Sequence, residues 1–95
     1  MIRTTLTAIA ATLLTAPAMA EIRPSECRLI KYGDANTVES FNCDFRQSGG
    51  NVQVWSDRWN FDFPYAEQGK SFIRINRMPL TFTRTGQYTL EVYQN

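Results

Sequence analysis

From Phe41 to Val92 the apolar side chains fall on alternate positions, in short runs cut by Gly, Asn, Asp and Pro. The runs are rich in Val, Ile, Phe, Tyr, Trp and Thr, residues that suit a pleated, half-buried surface. Beyond Glu21 no window of 11 residues carries apolar positions at the helical spacing i, i+3, i+4, i+7. An alternating pattern without helices gives an antiparallel sheet with one apolar face and nothing separate to cover it. Such a sheet must curl on itself or fold over. The expected fold is a small antiparallel up-and-down meander of six to seven strands, closed or nearly closed into a barrel. A small β-sandwich is the alternative.

Seven segments read as strands: Cys27–Tyr32, Thr37–Gln47, Asn51–Ser56, Asn60–Phe63, Ser71–Asn76, Leu80–Arg84 and Tyr88–Gln94. Their pairing can be read by requiring apolar residues to meet apolar ones, because a one-residue slip turns a strand inside out. The best alignment pairs Cys43 with Val54, Val54 with Phe61, Phe63 with Ile73, Ile73 with Phe82, and Phe82 with Leu90. It makes Phe41, Phe45, Val52, Val54, Phe61, Phe63, Ile73, Ile75, Leu80, Phe82, Leu90 and Val92 the inward set. The other face is then polar, with Asp62 opposite Arg74, and Phe72 falls on it. In the first hairpin, Cys27 lies directly across from Cys43.

Residues 1–20 have the three parts of a secretory signal: Arg3, a short apolar stretch from Leu6 to Leu14, and Ala18-Met19-Ala20 as the cleavage site. The apolar stretch is too short to span a bilayer, which needs about 20 such residues. Removal leaves 95 − 20 = 75 residues, so residues 21–95 form a single β domain. The expected location is periplasmic or secreted. There an even count of cysteines favours one disulfide, Cys27 to Cys43. The pair lacks the C-x-x-C spacing of redox centres.

Of the 10 Lys and Arg only Arg3 lies in the leader, and all 9 Asp and Glu lie beyond it, so the mature net charge is 9 − 9 = 0. A neutral domain exerts no general pull on nucleic acid or anionic lipid. No nucleic-acid partner and no membrane insertion after signal cleavage are expected. The chain has no histidine, which removes the commonest general base and metal ligand. No catalytic residue, metal or cofactor is expected. Asp44 and Asp62 share a face about 10 Å apart by strand spacing, near the separation in inverting glycosidases. They sit on a flat exposed surface, where they read as solvated charge.

The residues left over by the core are aromatic. Trp55 alternates onto the polar face, Trp59 flanks the same turn, and Tyr65 opens the longest connection, Pro64–Lys70. Exposed aromatics beside arginine are the side chains of binding hot spots. Trp55, Arg58 and Trp59 are therefore the candidate binding residues, set against a role as caps on an open barrel end. The functional expectation is a non-catalytic secreted or periplasmic module that binds a protein or glycan of the cell envelope. An inhibitor is one form of it. The alternatives are a small carboxylate-based hydrolase and a purely structural envelope protein.

The stretches Phe45–Val52, Phe61–Pro64, Gln68–Lys70 and Thr83–Leu90 resemble small secreted bacterial two-cysteine all-β proteins, a group that brings no assigned activity. Size, leader, disulfide and meander are also similar to the periplasmic and membrane-bound inhibitors of C-type lysozyme. That likeness implies an eight-stranded barrel that plugs an enzyme cleft with a loop bearing Ser and Lys. Here Ser48-Gly49 is not followed by the family's tyrosine, and Gly69-Lys70 stands in reversed order. The likeness carries the idea of a binding barrel and no inhibitory residue.

Overall fold

A computed structural model describes residues 21–94; the leader expected at residues 1–20 lies outside them. Seven antiparallel strands form one curled sheet: β1 (Arg23–Lys31), β2 (Thr37–Ser48), β3 (Asn51–Trp55), β4 (Asn60–Phe63), β5 (Ile73–Ile75), β6 (Leu80–Arg84) and β7 (Tyr88–Tyr93). The one helical turn among the described residues is Tyr65–Glu67. The sheet order is β4-β3-β2-β1-β7-β6-β5. All consecutive strands pair except β4 and β5, and β1 also pairs with β7. The molecule is thus a half-barrel with one open seam, between β4 and β5.

Parity explains why the seam opens there. With β7 antiparallel to β1, stepping outward in both directions leaves β4 and β5 running the same way. Two parallel strands need a crossover of about a dozen residues or more, and only residues 64–72 connect these two. The expected antiparallel pairing of Phe63 with Ile73 is therefore absent.

The seam is closed by side chains. Phe63 of β4 stacks on Phe82 of β6 with ring centroids 4.4 Å apart, and Phe72 meets Phe63 edge-on at 5.1 Å. Arg84 reaches across it. Its guanidinium donates to the main-chain carbonyls of Asp62 (2.9 Å) and Ser71 (3.3 Å). It lies 5.2 Å from the Phe63 ring centroid and 5.7 Å from that of Phe72.

Three other pairings differ from expectation. In β2–β3, Phe45 rather than Cys43 meets Val54, a two-residue shift. It keeps every side chain on its face, and it follows from the turn. Gly49 (φ +60°) and Gly50 (φ +85°) form a two-residue connection with both φ positive, the hairpin that matches strand twist. In β1–β2 pairing runs on to Lys31–Thr37, so Cys27 faces Phe41 and Cys43 faces Ser25. The Cys27–Cys43 disulfide joins the strands diagonally, with Cα atoms 5.9 Å apart, inside the span of such bonds.

In β5–β6, Ile73 meets Thr83 and Arg74 meets Phe82, a one-residue slip that inverts β5. Phe72 is buried, while Ile73 and Ile75 are exposed and Arg74 does not oppose Asp62. In this register the Phe72 ring packs on both Phe63 and Phe82, aromatic contacts that the isoleucines could not make. The remaining inward set is buried as expected, with Cys27, Leu29 and Cys43 added and Phe41 half-buried at its margin.

Candidate functional site

The β3–β4 turn is built by Ser56. Its amide donates to the Trp59 carbonyl at 2.8 Å. Its hydroxyl accepts from the amides of Arg58 (3.3 Å) and Trp59 (3.1 Å), so a short polar side chain substitutes for backbone partners in a tight turn. This turn presents the tryptophans. Trp55, the last residue of β3, projects from the outer face between Asp44 and Asn60. Trp59 turns toward the mouth of the curl and stacks on Phe61 at 6.0 Å.

Both indoles are half-buried, but their surroundings differ. Trp59 donates its ring N–H to the Glu39 carboxylate at 3.4 Å, and the same oxygen pairs with Arg58 at 2.7 Å. The Lys31 ammonium and the Arg58 guanidinium lie 5.3 and 5.2 Å from the Trp59 ring centroid. Trp59 is thus committed to the core below and to cations around it. Trp55 has only the Arg46 guanidinium, 5.4 Å from its centroid. Arg46 is itself held by Gln53, whose side-chain carbonyl accepts from its Nε (3.1 Å) and Nη2.

The two tryptophans share an open groove of about 320 Å³, completed by Arg46, Gln53, Ser56 and Asn60. Arg58 does not line it. Trp59 is the wall between this groove and a second one of about 300 Å³, which holds Glu39, Phe41 and Arg58. The expected trio therefore divides: Trp55 and Trp59 converge, and Arg58 lies behind Trp59.

The expected β3–β4 register already set Asn60 opposite Trp55, as observed, but sequence reasoning did not place Arg46 on that side of the groove. The signal was present in Gly49-Gly50. Read as a two-residue hairpin turn, it sets Arg46 opposite Gln53 and Asp44 opposite Trp55, as observed. Two further grooves escaped notice. One, about 570 Å³, runs along β1, β2 and Tyr93, over Glu26, Arg28, Ser40 and Asn42. The other, about 410 Å³, carries the carboxylates of Glu26, Asp44 and Asp57.

At the far end of β4, Tyr65 is exposed, its amide donates to the Asn51 side chain (2.8 Å), and its ring packs on Gly50. It is separate from the tryptophans, as the length of β4 implies. Tyr32 and Tyr93 bond to Thr89 and Glu91. Asp44 and Asp62 fall in different rows, opposite Trp55 and Gln53 respectively. Burial lowers the Arg74 pKa below its ordinary value by desolvation. Comparison with protein-family models, curated proteins and solved structures finds no match.

Proposed function

We propose that the protein is a non-catalytic binding module of the periplasm or extracellular space whose ligand is a glycan of the cell envelope, held in the Trp55–Trp59 groove. The observation that carries this reading is the composition of that groove. Two indoles flank a shallow space whose polar members are a guanidinium, two side-chain amides and the Ser56 side chain. Flat aromatic faces pack on the apolar faces of sugar rings. Arg46, Gln53 and Asn60 offer donors and acceptors to hydroxyl and acetamido groups. The groove is open and shallow, which suits a chain lying across it better than a buried small molecule.

Several features support binding over turnover. The chain has no histidine, and the two aspartates that could act together are offset by a row. A disulfide across the first hairpin is compatible with an oxidising compartment.

The test is a titration with soluble peptidoglycan fragments, followed by tryptophan fluorescence and calorimetry. Trp55→Ala is expected to reduce affinity at least about tenfold, the effect of losing a hot-spot side chain, with the fold intact by circular dichroism. Unchanged affinity in Trp55→Ala, or hydrolysis of the fragments by the wild-type protein, would overturn the reading.

A further inference from the structure

The neutrality of the domain conceals a segregation of charge. From Gln68 to Leu90 there is no Asp or Glu, and there are four cations: Lys70, Arg74, Arg77 and Arg84. The rest of the domain then holds 9 − 4 = 5 cations against 9 acids, a net of −4. The ion pairs among the described residues are Arg23–Glu21, Arg28–Glu91 and Arg58–Glu39. None of them involves the four cations of the β5–β6 region. The curl brings this region close to the strands across the seam, where Arg74 of β5 donates to the Gln47 side chain of β2 at 3.0 Å, yet its cations meet no carboxylate there among the described ion pairs.

The same region carries exposed aliphatic side chains. Because β5 is inverted, Ile73 and Ile75 face outward, and Met78 of the following turn is 68% exposed. Along Ile73-Arg74-Ile75-Asn76-Arg77-Met78 apolar and cationic residues interleave. Protruding apolar groups flanked by cations are what the surface of an anionic bilayer engages. A second copy meeting this face with its own would oppose like charges.

We infer that the β5–β6 hairpin is a docking surface for an anionic lipid bilayer. Ile73, Ile75 and Met78 enter the headgroup boundary, while Lys70 and Arg77 meet lipid phosphates. The contact is peripheral, and it leaves the Trp55–Trp59 groove free, so it stands independently of the glycan reading.

The experiment is co-sedimentation of the chain from Glu21, which comprises the whole described fold, with two vesicle types. One is phosphatidylglycerol mixed with phosphatidylcholine, and the other is phosphatidylcholine alone. The expected result is partitioning onto the anionic vesicles only, weakening as salt rises. Lys70→Gln and Arg77→Gln should each reduce it about fivefold, and Ile75→Ser with Met78→Ser should reduce it further. Arg23→Gln, which removes an exposed cation elsewhere, should leave it unchanged. Circular dichroism establishes that each variant is folded. No partitioning, equal partitioning onto both vesicles, or an equal loss in Arg23→Gln would each overturn the inference. So would tight binding to polyglutamate that is indifferent to Ile75→Ser and Met78→Ser, since it would make an acidic protein the partner.

Discussion

Arg84 is the residue on which closure turns. An edge strand leaves carbonyls and amides unpaired, and here one guanidinium takes a carbonyl from each side of the seam, at Asp62 and Ser71. Its Nε donates to the Tyr88 hydroxyl at 2.9 Å, which fixes the fork. Arg84→Ala is expected to lower stability by about 1 kcal/mol, the net worth of hydrogen bonds whose carbonyls water reaches once the guanidinium is gone, as read from the urea midpoint. Arg84→Lys should recover less than half of that loss, because an ammonium cannot serve two carbonyls in a fixed plane. Directly beneath lie Phe63 and Phe82, both fully buried. Phe82→Ala should cost about 3–5 kcal/mol, enough to leave the domain unfolded at room temperature by circular dichroism.

Among the elements, the β2–β3 hairpin has the most demanding turn. A Cβ at Gly49 would meet nothing within 4 Å, whereas one at Gly50 would stand 2.9 Å from the Tyr65 ring. Both positions have positive φ, so alanine at either costs about 1 kcal/mol in backbone strain. Gly50→Ala is expected to exceed Gly49→Ala, and pairing it with Tyr65→Ala should return the difference, a coupling that a double-mutant cycle in urea measures.

Strand identity was legible because alternation with turn residues is a strong local signal. Five of the strand pairings were not all equally so. Where partners are large and apolar, as in β3–β4 and β6–β7, the observed register is the expected one. β5 failed because it offers two alternations, Ile73 with Ile75 or Phe72 with Arg74. Only the aromatic cluster of Phe63, Phe72 and Phe82 decides between them. The β2 neighbours of Trp55, Asp44 and Arg46, were missed for a related reason, since a two-residue shift preserves the faces and changes only which neighbours meet.

For the whole molecule, the decisive facts are its small size and its strand count. A domain of this size has a marginal core, and the disulfide closes a loop with a sequence separation of 16. Cys27→Ser together with Cys43→Ser is expected to cost about 3 kcal/mol, measured as the shift in urea midpoint against the oxidised protein. The curled shape was implied by an apolar face without helices. The position of the seam was not, because it depends on counting strand directions around the ring rather than on any local pattern. Seven is odd, so one neighbouring pair must run parallel, and the connection of residues 64–72 is where that pair falls.

Because Glu26 pairs with Tyr93, the two ends of the described chain lie side by side, while the longest connection spans the open seam. The sheet order β5-β6-β7-β1-β2-β3-β4 is that of a plain meander whose ends have been joined and whose chain has been cut elsewhere. A circular permutant that links Tyr93 to Arg23 by a short turn and opens the chain within residues 64–72 would make every strand pair a neighbour in sequence. The pairing of β1 with β7, now the most distant in the chain, would become a hairpin. Lower contact order speeds folding, so the rearranged chain should reach the same half-barrel faster than the natural one.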